Sequence, residues 1–444
     1  MKLTRPGGLW LHRDFRRLWA AETISQFGTQ VDDLALGLVA IIVLDASAFE
    51  VAVYGTVNFL PFILFTLPAG VWVDRLPRKP ILVIGDFGRF AALATIPLAY
   101  VADVLTLWQL YAVAFLTGVF TVFFDVAYQS YLPSLVDRDQ ISEGNSKLEI
   151  SRSTAQLSGP GLGGLLVELI TAPYAVLADA FSFLASGSLL LRIRKPEERP
   201  TAPTEPGAKP SLRAELKEGL RFVLGNPNLR AQAGCTATSN LFFSVTFSIF
   251  LVYLVRDLGL SAGVIGVMFS VGSVGSLLAA FTTTRISKRL GIGPTTIVAT
   301  LLNLPAMLLI ALAPVAFPIP FIVAGSVILG FVIVLYNITQ VSYRQAICPP
   351  RLQGRMNSVM RFIVWGTIPI GTLAGGALGS LIGLRETLVI GAIGSGSSVL
   401  WILLSPQRHL REMPEPIEEE PRTTELGAAV PGVADPLSPV DEPT

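Results

Sequence analysis

Three acidic residues stand inside the first long apolar stretch of the chain: Glu22, Asp32 and Asp33, in "FRRLWAAETISQFGTQVDDLALGLVA". A carboxylate in an apolar element either finds a cation or takes a proton, because burial disfavours the charged form. On a helix at about 100° per residue, with Glu22 as zero, Ser25, Gln26, Thr29, Gln30, Asp32 and Asp33 fall within about 80° either side. Ile24, Phe27, Val31, Leu34 and Ala35 take the opposite face. A polar stripe this wide lines a water-filled path or meets a polar partner. Basic partners are scarce, since Arg89 and Arg152 both fall toward one end of their segments. Protonation is the expected fate, which is the chemistry of proton coupling. Asp33 lies nearer the centre of the stripe than Asp32 and is the favoured site. The plainer reading has one aspartate in a structural pair and the other unused.

The element that must position these groups is a membrane span. The chain has 444 residues, 51% hydrophobic and only 15% charged, against roughly 25% charged in soluble domains. Runs of ~20 apolar residues suffice to cross a bilayer. About twelve occur, near 17–44, 50–73, 81–102, 106–129, 145–170, 173–193, 228–255, 262–284, 294–314, 317–343, 357–383 and 386–405. In lipid each must satisfy its own backbone, so they are expected to be helices; the runs are too long and continuous for a barrel. The expectation is an all-α polytopic membrane protein. The first run is read as a retained span rather than a cleaved signal, because it is long and carries acids. Cys235 and Cys348 lie far apart and imply no disulfide framework, and His12 and His409 make no metal site alone.

With the loop at 74–80 placed in the cytoplasm, all Lys and Arg except Arg256 and Arg385 fall on or toward one side. That asymmetry puts both termini in the cytoplasm of a cell-membrane protein. "RKPEERPTAPTEPGAKP" reads as a linker. Leu212, Leu216, Leu220 and Val223 after it read as an amphipathic helix on the membrane surface. The division expected is 1–193, a linker at 194–227, 228–405, and an acidic, Pro-rich disordered tail at 406–444. The two six-span halves repeat at a shift of 212: Ser130/Ser342, Tyr131/Tyr343, Gly118/Gly330, Gly159/Gly371, Gly163/Gly375 and Gly164/Gly376 coincide. Six spans between copies keep the orientation, so the repeat is parallel, and two similar bundles enclose a central cavity.

The loop "GVWVDRLPRKPILV" packs Asp74, Arg75, Arg78 and Lys79 between two oily runs. Gly70 allows close helix approach, and Pro77 and Pro80 stiffen the turn. A bare topology signal explains the bases but neither Asp74 nor Asp125 at the end of span four. "GPGLGG" at 159–164 satisfies a dinucleotide pattern but lies in a membrane helix, so that reading is rejected. The helical reading is a close-packing face of Gly159, Gly163 and Gly164, bent at Pro160, repeated at Gly371 and Gly375. These faces are expected at the gate between the halves.

Gly70-x-x-x-Asp74-Arg75-x-Pro77-Arg78-Lys79 resembles the loop signature of the major facilitator superfamily, with Pro77 where Gly is usual. Arg285, Lys288, Arg289 and Gly291 are a worn copy. "GPGLGG" resembles the span-five motif of that family's drug:proton antiporters. "FRRLWAAETISQFGTQV" and "LADAFSFL" resemble its macrolide-efflux and siderophore-exporter branch. The resemblance covers residues 14–405. It implies the twelve-helix major facilitator fold and a latch on the outward-facing state, in which Arg78 pairs with Asp125 while Asp74 meets the other half.

The expected function is export of amphipathic, drug-like or siderophore-like molecules in exchange for protons. Glu22, Asp32 and Asp33 would handle the proton. Gln26, Gln30, Asn58, Asn240, Asn303, Asn337, Gln340 and Trp365 would supply polar and aromatic anchors in a mostly apolar cavity. Proton-coupled uptake by the same fold and a non-transporting receptor or scaffold remain alternatives. An enzyme is not expected. No phosphate-binding loop is present, so the proton gradient replaces ATP, with no cofactor, no metal and no nucleic acid, in a monomer. Asp86, Arg89, Glu168 and Asp179 are read as structural.

Overall fold

The structure, a computed structural model, describes residues 8–73, 75–137, 140–197, 212–349, 352–412 and 414. Six long helices come first: α1 (Arg13–Leu38), α2 (Ala48–Val73), α3 (Arg78–Val101), α4 (Leu107–Leu135), α5 (Ile141–Ile170) and α6 (Ala172–Leu191). A shorter helix, α7 (Leu212–Gly225), precedes α8 (Pro227–Val252), α9 (Ala262–Leu290), α10 (Ile292–Ala311), α11 (Ile319–Ile347) and α12 (Gln353–Ile382). α13 (Leu384–Ser397) continues past Ser398 as α14 (Val399–Leu403). Among the described residues, 11 helical segments are long and apolar enough to cross a membrane. α5 completes the twelve: it has 30 residues, but its first half carries Glu143, Lys147, Glu149 and Arg152.

Local chemistry sets the helix starts. His12 Nδ1 accepts from the Phe15 amide (3.0 Å) ahead of α1. Asn226 accepts from the amides of Asn228 and Leu229 (3.0 and 3.1 Å) ahead of α8, with Pro227 at the first helical position.

The halves repeat in structure. α4 and α11 start and end 212 residues apart (319 − 107 and 347 − 135). α5 and α12 keep the same shift (353 − 141 and 382 − 170). Packing repeats with it: Gly118 lets α4 approach the Asn58 carbonyl of α2, and Gly330 lets α11 approach the Gly272 carbonyl of α9. The α5–α6 and α12–α13 connections turn at equivalent single residues, Thr171 (φ 72°) and Gly383 (φ 105°).

We call the face carrying the α2–α3, α4–α5 and α6–α7 connections the basic face. Its charges meet helix ends, where backbone groups lack partners. Lys79 Nζ donates to the carbonyls of Leu191 (3.1 Å) and Ile193 (2.6 Å) at the end of α6. Lys195 Nζ donates to Leu135 O at the end of α4 (3.1 Å). Glu197 accepts from the Arg78 and Lys79 amides at the start of α3 (2.7 and 3.1 Å).

The core is divided unevenly. At the face opposite the basic one, a single buried apolar cluster runs through both halves, from Leu34, Val39 and Ile96 to Ile249, Tyr253 and Ile265. At the basic face there are two clusters, one around Phe15, Leu82 and Tyr131, the other around Val223, Tyr343 and Met356. The halves are therefore joined at one end and apart at the other. The second cluster corrects the expectation for α7. This helix does not simply lie on the membrane surface: Val223 is fully buried, and Gly219 brings α7 against the Arg355 carbonyl of α12. Glu218 pairs with Arg355 beside it, while Leu220 and Leu224 stay exposed.

Thr171 holds a conformation that its repeat partner fills with glycine. A β-branched residue there costs on the order of 1–3 kcal/mol, more than the roughly 0.5–1 kcal/mol of extra chain entropy glycine brings. Thr171→Gly is expected to stabilise the protein by about 1 kcal/mol, read as a raised thermal unfolding midpoint in lipid nanodiscs. An unchanged or lowered midpoint would contradict this account.

Candidate functional site

α1 places its polar stripe along two connected cavities. The larger, about 1080 Å³, is lined by Glu22, Gln26, Arg89, Asp125, Glu149 and Arg152 of the first half and reaches Leu277 of the second. The inner one, about 680 Å³, lies between the halves. Gln30 lines both and joins them. The inner walls are mostly apolar: Phe59 from α2, Phe243, Phe247 and Phe250 from α8, and Phe269 from α9. Asp33, Tyr54, Asn58 and Asn240 stand among them, with the hydroxyls of Ser244, Ser248 and Thr372. Asp33 is open to this cavity and, among the described residues, makes no ion pair or hydrogen bond.

The remaining acids are met in different ways. Glu22 is buried and accepts from Gln26 Nε2 (2.7 Å). Asp86 and Arg89 of α3 pair at 2.5 Å, and the guanidinium stacks over Phe124 (4.4 Å) and Phe183 (4.0 Å). Asp125 stands exposed in the larger cavity. Asp32 turns away from the inner cavity toward α6, with Oδ1 buried and unpartnered.

Several expectations need correcting. With the halves apart at the basic face, Arg78 is not paired with Asp125; its Nη1 meets Glu197 Oε1 at 3.3 Å, because the chain after α6 folds back over the start of α3, and the latch expected of the outward-facing state is not tested by this conformation. Gly70 has open space around it, so no helix uses it for close approach in this conformation. Arg75 is exposed, and Lys79 is spent on the end of α6. Asp74 lies outside the described residues. Asn303 is outside the inner cavity: it donates to Ser395 Oγ (2.8 Å) and Ser239 Oγ (3.4 Å) within the second half. Asn303 and Asn337 line a separate pocket of about 130 Å³ there. Gln340 is buried with Oε1 unpartnered and lines neither inter-half cavity. Trp365 meets Phe59 edge-on at 6.1 Å, across the halves beside the inner cavity.

The glycine faces divide by role. Gly159 and Gly163 pack against Gln30 and Val31 of α1, inside the first half. Gly371 and Gly375 pack against Leu241 and Val245 of α8, inside the second. These four are not at the gate. Their neighbours are: Gly164 meets Ala262 and Gly266 of α9, and its repeat partner Gly376 meets Ala48 and Ala52 of α2. Pro160 contributes its carbonyl to the same α5–α9 seam, against Gly266. Polar contacts bridge that end. Glu168 Oε2 accepts from the Gly263 amide (2.7 Å), and Arg256 reaches Asp45 Oδ1 and the Ala46 carbonyl (both 2.8 Å). Asp45 is 94% exposed, so that pair adds little. Backbone packing closes this end.

A family model described as Major Facilitator Superfamily matches residues 18–368. The chain belongs to the major facilitator superfamily. It is 26% identical over 355 residues to the multidrug efflux pump Tap of Mycolicibacterium fortuitum, covering 78% of this chain and 84% of that one. To macrolide efflux protein A of Streptococcus pyogenes it is 22% identical over 217 residues, 49% of this chain and 53% of that one. A bacterial homologue of the iron transporter ferroportin, crystallised inward-facing, superposes with a TM-score of 0.65 at 16% identity, covering 88% and 99%. That likeness concerns the fold. The superfamily is one of transporters, and the chain is a multi-pass membrane transporter rather than an enzyme.

Within this major facilitator fold, sequence reasoning missed the closing contacts Glu168–Gly263 and Arg256–Asp45, the cap supplied by Glu197, and the aromatic wall of the inner cavity. Phe243 and Phe247, four apart on α8, were the available signal. Asp179, read as structural, lies 1% exposed against α1.

A side chain at Gly164 or Gly376 would collide with the opposite half. Gly164→Leu and Gly376→Leu are expected to open the closed end, seen as lengthened spin-label distances between the halves there. Gly159→Leu and Gly375→Leu are expected to lower stability by about 1–3 kcal/mol through overpacking within a half, with those distances unchanged. The reverse pattern would return the gate to Gly159 and Gly375.

Proposed function

We propose that this transporter exports amphipathic small molecules across the cell membrane in exchange for protons, by alternating access. The observation that carries the reading is the inner cavity: Asp33 stands without a cation among aromatic walls between two halves that are joined at one end only. Its volume, about 680 Å³, suits a drug-sized ligand, and apolar walls with a few polar anchors suit amphipathic ones. The efflux relatives support export as the direction. The distribution of Lys and Arg supports placing the open, basic face in the cytoplasm, with both termini.

Asp33 is the proposed coupling group. Deprotonated, it offers a fixed negative charge to a ligand in the cavity. Protonated, it leaves the cavity wall neutral and lets the ligand go. Gln26 and Gln30 line the way in from the basic face, and Asn58 and Asn240 give one amide anchor from each half. Rocking of the halves about the glycine seams then exposes the cavity to alternate sides. No ATP, metal or cofactor enters this cycle, and one copy of the chain contains the whole cavity.

Asp33→Asn removes the titratable group while keeping size and shape. In energised vesicles the wild type is expected to build a gradient of a fluorescent amphipathic dye, and the variant is expected to let the dye only equilibrate. A variant that still drives the dye uphill would sink the assignment. Proton-driven accumulation in the opposite direction would make the protein an uptake symporter.

A further inference from the structure

The seam between α1 and α6 holds two carboxylates and no free cation. Asp179 of α6 is 1% exposed; its Oδ1 accepts from Ser182 Oγ (2.8 Å), and its Oδ2 is buried without a partner. It lies hard against Gly28 of α1, where any side chain would collide with Asp179 Oδ1 and Ser182 Oγ. Asp32 is one helical turn further along α1 on the same face, and its Oδ1 is also buried without a partner. The charges of the two residues act on each other.

The other ionisable groups around them are few. Asp32 is faced by Asp33 on its own helix and by Tyr54 from α2. Asp179 is faced by Asp33 and by Asp86 and Arg89 of α3. Arg89 is already bound to Asp86 at 2.5 Å and held between two rings. α5 covers this length of α1 with Gly159 and Gly163, which carry no charge.

We propose that Asp32 and Asp179 form a second proton-binding site, a buried carboxyl pair that keeps one proton. Two adjacent carboxylates in a dry seam do not both ionise. One proton taken up there removes one of two buried charges that no ion pair offsets. The pair sits one residue behind Asp33, which water reaches from the cavity. Its role in transport rests on the proposed proton coupling; its protonation does not.

The test uses the full chain purified in phosphatidylcholine nanodiscs, with the thermal unfolding midpoint followed from about pH 6 to about pH 9. A pair that keeps a proton only when folded stabilises the protein at low pH, and this stability is lost as the pH rises. The wild-type midpoint is expected to fall across this range. Asp32→Asn and Asp179→Asn are each expected to shrink the fall about twofold or more, with the double variant no flatter than either. Equal slopes in wild type and both single variants overturn the pair, whatever Asp33 does in transport. Should the asparagine variants fail to fold, infrared spectra of wild type and Asp33→Asn decide. Both are expected to show a protonated-carboxyl band that fades at high pH; its loss in Asp33→Asn puts the proton on Asp33 alone and overturns the pair. Recovery of the high-pH midpoint by sodium but not potassium would put a metal ion in the seam and overturn it too.

Discussion

A carboxylate inside a bilayer must be given a cation, a hydrogen-bond donor or a proton, because water is not there to do it. The first half of this protein is organised by that demand. Glu22 is given an amide, and Asp86 is given Arg89. Asp125 is left in the water of the larger cavity. Among the described residues Asp32 and Asp179 keep buried carboxylate oxygens with no partner, where α1 meets α6, while Asp33 beside them opens to the inner cavity. Elsewhere charge is moved to helix ends, where Lys79, Lys195 and Glu197 complete backbone groups that the helices leave open. The crowded turn between α2 and α3 is therefore a joint as well as a topology signal: it ties α3 to the end of α6.

The same economy explains how the halves meet. Ion pairs across their interface would have to break in every cycle. An exposed one such as Asp45–Arg256 contributes little to hold. Close backbone packing is different. Gly164 against Gly266 and Gly376 against Ala52 bring helices together without long side chains to reorder. Such a seam parts and re-forms as two rigid surfaces. The glycines one and five residues away, Gly163, Gly159, Gly375 and Gly371, bind each gate helix to the first helix of its own half. A gate helix fixed on one side and loosely seated on the other moves with its half.

Much of this was legible in the sequence. Apolar runs of membrane length marked the spans, and the shift of 212 recurs in the ends of α4, α5, α11 and α12. The stripe on α1 marked Gln26, Gln30 and Asp33, because a cavity wall keeps helical periodicity. Contacts between distant segments were not legible. Glu197 sits in a stretch that reads as linker, yet folds back onto α3. Asn303 looked like a cavity anchor because it is polar in an apolar span; its partners Ser239 and Ser395 lie 64 and 92 residues away. Glycine spacing showed a packing face but not which neighbour it faces, and one position along the helix decides between the same half and the other.

The repeat also shows where the halves parted in role. The α1–α6 seam has Gly28 facing Asp179; α1 and α8 lie 214 residues apart (227 − 13 and 252 − 38) and α6 and α13 start 212 apart (384 − 172), so the counterparts are Phe242 and Gly391. In the second half the arrangement is reversed. The small residue is Gly391 on the later helix, packed against Thr246 and the Phe242 carbonyl. Asp32 and Asp33 map to Thr246 and Phe247, which carry no charge. A neutral seam needs no proton, so it packs the same way at every step of a cycle. A seam that holds two acids packs well only when protonated. On the proposed protonation of the α1–α6 seam, two bundles of one architecture would differ in a single physical respect: one would change its internal energy with proton occupancy, and the other would provide a constant surface for it to work against.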